Sequence, residues 1–262
     1  MEVRMDGRKA VITGGSLGLG RAIATRFAEA GADVAIVARR EDVLAEAKAA
    51  IEAAAPGGGA VHAVAGDVST AAGCQAVFDN AVAAMGQVDV LVNNAGSSLR
   101  KPFADVSDDD WQGDLDLKLF AAIRLGRLTM PLMRERKWGR IINILNTGAK
   151  APPPEGAPTA VTRAAGLALT KVMAGEAVKD NVLVNALLVG RIESDQWVRR
   201  HAAENKGRSL EDYYAEMGQM LPMGRLGTAE EFANAACFLA SEQGSYISGV
   251  GLNVDGGLCP VV

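Results

Sequence analysis

The chain predicts a single doubly wound α/β domain, and three observations carry that expectation. Short β-branched runs alternate with longer stretches of helical apolar spacing along its whole length. Runs such as VDVLV at 88–92 and RIINIL at 140–145 are apolar at almost every position, as strands are when helices cover both faces of a parallel sheet. A glycine-rich turn, GGSLGLG, lies between the first such run and the first helical stretch.

Taken in order, strand runs fall at 10–13, 34–37, 61–65, 88–92, 140–145, 182–187 and 251–254. Helical spacing occupies 18–30, 42–54, 71–85, 108–136, 158–178 and 229–240 between them. The alternation predicts right-handed βαβ crossovers and an open sheet. Breakers stand where such a fold needs them: APGGG at 55–59 ends one helix, and three prolines at 152–154 stiffen the loop before another. No internal repeat or dividing linker is visible. The one long irregular stretch, 189–223, follows the C-terminal end of a strand and is expected to form a mobile lid over substrate.

A chain of 262 residues can bury a substantial core, and 49% hydrophobic with 22% charged residues reads as a globular protein. A net charge of −4 argues against a general nucleic-acid or anionic-membrane binder, which needs a basic surface. Cys74, Cys237 and Cys259 lie far apart and only two histidines are present, so neither a disulfide framework nor a zinc cluster is expected. The first strand begins too soon for a signal segment and no apolar run approaches the ~20 residues of a membrane span, so the cytoplasm is the expected location.

In the segment AVITGGSLGLG, Gly14 suits the sharp turn, Gly18 lets backbone approach a diphosphate, and Gly20 permits tight packing of helix on strand. The spacing is G-x3-G-x-G, and alone it is a weak signal. Further motifs strengthen it. Asp67-Val68 follows the third strand, Asn93-Asn94-Ala95-Gly96 the fourth, and Val254-Asp255-Gly256-Gly257 the last; IIN stands at 141–143, PMGRLGTAEEFANAACFLAS at 222–241 and SYISG at 245–249.

Together these residues resemble the short-chain dehydrogenase/reductase family over essentially the whole chain. The resemblance implies a Rossmann-type, seven-stranded parallel sheet, commonly assembled as a homotetramer. It also implies a nicotinamide dinucleotide held by Gly14, Ser16, Leu17, Gly18, Leu19 and Gly20. Asp67 and Val68 would face the adenine, Asn94, Ala95 and Gly96 would line the central groove, and Arg163, Gly190 and Ile192 would complete the site. Cofactor subtype follows from the end of the second strand. A carboxylate there would bind the ribose hydroxyls and repel a 2′-phosphate, but Ala38 is followed by Arg39 and Arg40, whose guanidiniums suit that phosphate. NADP(H) is therefore expected over NAD(H).

The resembled family carries a Tyr-x3-Lys pair after the fifth strand, a serine just behind that strand, and an asparagine on the preceding helix. Aligned from Asn143 without gaps, those places hold Thr159, Arg163, Asn146 and Lys118, and the usual Pro-Gly after the sixth strand is Val189-Gly190. An aliphatic hydroxyl is a poor proton store beside a phenol, and a guanidinium does not relay protons. Asn146 can polarise a carbonyl through its amide. Lys118, partly buried beside other cations, would lose proton affinity and serve as acid or base if it points into the cleft; the alternative is a stem packed along the helix with its amine in water. Tyr213, Tyr214 and His201 lie in the lid and read as packing or surface residues first.

These residues point to an atypical NADP(H)-dependent oxidoreductase acting on a small carbonyl or alcohol, in a homo-oligomer, tetramer or dimer. Three alternatives stay open: a dinucleotide-binding sensor without turnover, a partner subunit for an active relative, and non-redox lyase or isomerase chemistry in the same cleft.

Overall fold

A computed structural model describes residues 2–204 and 207–262, apart from the side chains of Asp195 and Gln196. The chain runs β1 (Lys9–Thr13), α1 (Gly18–Glu29), β2 (Asp33–Ala38), α2 (Glu41–Ala54), β3 (Val61–Ala65), α3 (Ala71–Met85), β4 (Val90–Asn93) and β5 (Arg100–Lys101). It continues through α4 (Asp108–Leu115), α5 (Ala121–Glu135), β6 (Gly139–Asn146), β7 (Ala157–Pro158), α6 (Thr159–Ala177) and β8 (Val182–Val189). Helices α7 (Asp195–Glu204), α8 (Leu210–Gln219) and α9 (Ala229–Ala240) precede the last strand, β9 (Gly251–Val254).

Seven strands form one sheet in the order β3-β2-β1-β4-β6-β8-β9, every neighbour parallel. Successive residues of each strand feed opposite faces. Ile12, Val34 and Ile36 pack with Ile23 and Phe27 of α1, Leu44 and Ile51 of α2, and Phe232 of α9. Val11, Ala35 and Val37 pack on the other face with Val77 of α3, Leu125 and Met133 of α5, and Met173 of α6. Each fully buried aromatic such as Phe27 or Phe232 contributes roughly 1.5–3 kcal/mol through the apolar area it removes from water. The strand order reverses at β1, whose neighbours are β2 and β4, and a crevice opens there beyond the strands' C-terminal ends.

Three expectations are corrected. The helix expected over 108–136 is interrupted by a π-helical turn, Asp116–Phe120, which carries Lys118. The stretch 189–223, expected to be irregular, contains α7 and α8; positions 205–206 of the expected lid lie outside the described residues. Ser209 caps α8 by accepting the Asp212 N–H, and Leu210, Tyr213, Tyr214 and Met217 recur along it at helical spacing. The fourth strand begins at Val90 rather than at 88. An antiparallel ribbon that the sequence pattern did not suggest pairs Arg100 with Pro158 and Lys101 with Ala157, tying the loop after β4 to the start of α6.

Candidate active site

The turn between β1 and α1 is shaped by its glycines. Gly14 and Gly18 have φ of +64° and +52°, in the region where side chains are strained. A Cβ on Gly20 would stand 2.1 Å from the Gly14 carbonyl oxygen, so only glycine lets α1 press against the turn. Leu17 supplies no side-chain cap, and the first turn of α1 has no acidic residue. Its uncapped amides and the positive end of its dipole therefore remain available to an anion. Asn94 clamps the end of β4 to this turn, its Nδ2 donating to the carbonyls of Thr13 at 2.9 Å and Gly14 at 3.2 Å. Thr13 Oγ1 accepts the N–H groups of Asn94 and Ala95 in return, at 2.9 and 3.0 Å.

These elements border a groove of about 850 Å³. Gly14, Leu17, Gly18, Leu19 and Gly20 line it along the first helix, Asn94, Ala95 and Gly96 along the end of β4, and Gly190 and Ile192 beyond β8. Asn146, Thr159 and Arg163 line it from β6 and α6. Two packing relations explain the glycines: a Cβ on Gly96 would meet Arg163 Nη2 at 2.7 Å, and one on Gly190 would meet Asp255 Cα at 2.5 Å. Ser16 is 8% exposed and does not line the groove. Arg39, Arg40, Asp67 and Val68 also lie outside its lining. Arg39 and Arg40 project from the end of β2, exposed, with no hydrogen bond or ion pair from either guanidinium among the described residues. Hydrogen bonds from Ser69, assisted by the Arg39 charge, hold the Asp67 carboxyl below its ordinary range despite partial burial. Val68 is buried.

Behind the groove lies a buried polar cluster. Thr159 is the first residue of α6 and Arg163 stands one turn on, so both face the same way. Thr159 Oγ1 accepts the Leu99 N–H at 3.1 Å and a proton of the Lys118 ammonium at 2.9 Å, and it donates toward the Leu99 carbonyl at 2.8 Å. Lys118 is paired with Asp114 four residues earlier, both side chains being 2% exposed. Lys118 thus meets neither description offered by the sequence: its amine is not in water, and it does not line the open groove but sits behind Thr159, beside a small cavity shared with Arg163. Burial first, and the Arg163 charge second, push its ionisation down to about 8, against the opposing pull of Asp114. Burial likewise brings Arg163 down to about 10.

Arg163 Nη1 donates to the Ile144 carbonyl. Its Nε, together with Asp114 Oδ2 and Asn146 Oδ1, is buried without a partner among the described residues. Such unpaired atoms are costly unless a ligand or water completes them, and two of the three residues, Arg163 and Asn146, line the groove. Asp114 was not anticipated, although its spacing of four from Lys118 on a helix was a readable signal. Within 189–223, Tyr213 is 4% exposed, its ring 5.4 Å from that of His201 and 6.2 Å from that of Tyr214, so it packs α8 onto α7. None of these three lines the groove.

The family model described as enoyl-(acyl carrier protein) reductase matches residues 14–259. An uncharacterized oxidoreductase, YvrD, of Bacillus subtilis is 31% identical, covering 98% of both chains. The 3-oxoacyl-[acyl-carrier-protein] reductase FabG of Aquifex aeolicus is 32% identical, covering 98% of this chain and all of that one. Among solved structures, L-sorbose reductase from Gluconobacter frateurii, complexed with NADPH and L-sorbose, is 35% identical with a TM-score of 0.94 over the full length of both chains. No helix among the described residues is long and apolar enough to cross a membrane. With the parallel sheet, the glycine turn and the Asn94 clamp already in place, these matches show that the chain belongs to the short-chain dehydrogenase/reductase family of oxidoreductases.

Proposed function

We propose that this protein is an NADP(H)-dependent oxidoreductase of a small carbonyl or alcohol, with an acid–base set that departs from the family's Tyr-x3-Lys pair. One observation carries the reading: the hydroxyl of Thr159, a groove-lining residue, is hydrogen-bonded to a buried lysine whose ionisation burial brings down to about 8.

The residues present fit a dinucleotide. The uncapped α1 amides and the Gly14–Gly20 contact form a cradle that a Cβ would fill, and the buried, unpartnered Arg163 Nε lies beside the groove. Backbone from Gly14 to Gly20 would hold the diphosphate, Asp67 and Val68 the adenine side, Arg39 with Arg40 a 2′-phosphate, and Arg163 the ribose hydroxyls. Relatives point the same way, L-sorbose reductase having been solved with NADPH. The nicotinamide, when bound, supplies or accepts the hydride at its C4.

In the reductive direction, Asn146 presents its side-chain amide to the substrate oxygen and polarises the carbonyl. Thr159 turns its hydroxyl proton from the Leu99 carbonyl toward that oxygen as negative charge develops there. Lys118 replaces the proton through the 2.9 Å hydrogen bond, and Asp114 steadies the ammonium form until transfer. The oxidative direction runs the same transfers backward. We further infer a homo-oligomer, tetramer or dimer.

Purified protein, NADPH and a broad panel of aldehydes and ketones provide the test. Substrate-dependent loss of reduced-nicotinamide absorbance is expected, with calorimetric NADPH affinity exceeding that for NADH. Absence of oxidation with every carbonyl would sink the reading. The competing reading, binding without turnover, draws on the engagement of the Thr159 proton at the Leu99 carbonyl. It requires tight NADPH binding with no turnover.

A further inference from the structure

We propose that the substrate end of the groove is built for an anion, with Arg100, Arg191 and Arg199 binding a carboxylate or phosphate carried by the carbonyl or alcohol substrate. The proposal rests on the oxidoreductase reading and names its substrate class.

Charge distribution gives the first reason. The chain has a net charge of −4, yet five arginines line this groove and no aspartate or glutamate does among its described lining residues. Two of the five are engaged: Arg163 donates to the Ile144 carbonyl, and Arg200 pairs with Glu204 at 3.2 Å. Arg100, Arg191 and Arg199 make no side-chain hydrogen bond or ion pair among the described residues. A cleft of one sign with low-dielectric walls concentrates ligands of the opposite sign.

Proximity gives the second. The Arg191 guanidinium lies 5.0 Å from the ring of Trp197, whose other neighbour is Arg200 at 5.6 Å, so one indole organises two cations. Arg191 is also close enough to Arg100 and Arg200 that, after burial, their charges press its own ionisation downward. Like charges gathered this way raise the free energy of the empty groove, and a bound anion relieves that repulsion. Forked guanidiniums suit planar carboxylate or phosphate oxygens bidentately.

Position gives the third. The β5–β7 ribbon sets Arg100 opposite Pro158, the residue before Thr159, while Leu99 exchanges two hydrogen bonds with the Thr159 hydroxyl. The cation is therefore held by the same short ribbon that positions the proposed proton donor. An anionic group fixed here would orient the reacting oxygen toward Thr159 and Asn146.

The test is calorimetric titration of the purified chain, alone and with saturating NADP⁺, which carries no hydride to give, using two matched pairs. Succinic semialdehyde is set against butanal, and dihydroxyacetone phosphate against dihydroxyacetone. At least one anionic member is expected to bind about tenfold or more tightly than its neutral partner, with affinity falling as salt rises. The pair that separates tells carboxylate from phosphate. Arg100→Gln and Arg191→Gln should each weaken the anion about tenfold, while NADPH and the neutral partner bind as before and Arg191→Lys restores part of the loss. Equal affinity within both pairs would overturn the proposal. So would an equivalent loss of NADPH affinity in the variants, which would assign these arginines to coenzyme phosphates. Failure of NADPH to bind at all, with the anion preference intact, would instead remove the oxidoreductase reading and leave the anion site standing.

Discussion

The buried Lys118–Asp114 pair makes a thermodynamic test of the site possible without knowing a substrate. Lys118 ionises near 8 in the folded chain, against 10.5 for a free lysine. A lysine whose folded value is depressed binds its proton less well when folded, so between those two values the unfolded chain holds more protons and stability rises with pH. Below about 8 both states are protonated and the full cost of burying the ammonium is present. Integrating the two titrations gives a gain of about 2–3 kcal/mol from this one group between about pH 7 and pH 10. Lys118→Met alone would leave the Asp114 charge buried and unpaired and is expected to destabilise by about 3–5 kcal/mol. The informative comparison is therefore the double variant Asp114→Leu with Lys118→Met, which removes both charges and is expected to be near neutral in stability at about pH 7. Urea unfolding at a series of pH values would be fitted for both proteins, cancelling the titration of every other group. The curves should diverge as pH rises, the wild type gaining on the variant. Parallel curves would show that Lys118 keeps an ordinary affinity for its proton, and the relay through Thr159 would lose its basis.

Other expectations follow from the same geometry. Thr159→Ala should lower turnover about a hundredfold, with Thr159→Ser restoring most of it, and equal rates in all three proteins would remove the hydroxyl from the mechanism. The wild-type rate of carbonyl reduction should fall as pH rises through about 8, where Lys118 loses its proton, and Lys118→Arg, whose guanidinium relays no proton, should lower the rate and abolish that fall. Arg39→Ala should weaken NADPH about tenfold in calorimetry and leave NADH nearly unchanged; matching losses would refute 2′-phosphate recognition. Gly20→Ala places a Cβ 2.1 Å from the Gly14 oxygen, and it should lower the melting temperature and abolish detectable NADPH binding. Retained affinity would mean that the diphosphate sits elsewhere.

What could be read from sequence was local. The parallel strands announce themselves because burial on both faces demands unbroken apolar runs, and the glycine turn because Gly14 and Gly20 answer to backbone constraints within a few residues. The positions of Thr159, Arg163, Asn146 and Lys118 could be located by alignment, but the direction of the Lys118 amine could not, since it depends on Asp114 and on the helix geometry around it. Helix α7 stayed hidden because it is short and strongly polar, with most of its described residues exposed. Arg100 and Arg191 lie far apart along the chain and meet only through the ribbon and the segment beyond β8. Two-residue strands such as β5 and β7 leave no periodicity to detect.

The π-helical turn at Asp116–Phe120 makes the length of this segment a constraint in its own right. Its wider ring takes up about one more residue per turn than ordinary winding, and Lys118 lies within it, four positions after Asp114. Removing Asp116 or Leu117 would let the segment rewind as ordinary helix and cut that separation to three. The carboxylate and the ammonium would still share a face, but their meeting point would shift against Thr159 on α6. Exchanges of Leu117 or Leu119 for residues of similar bulk leave the spacing intact, whereas a single-codon deletion between the pair would not.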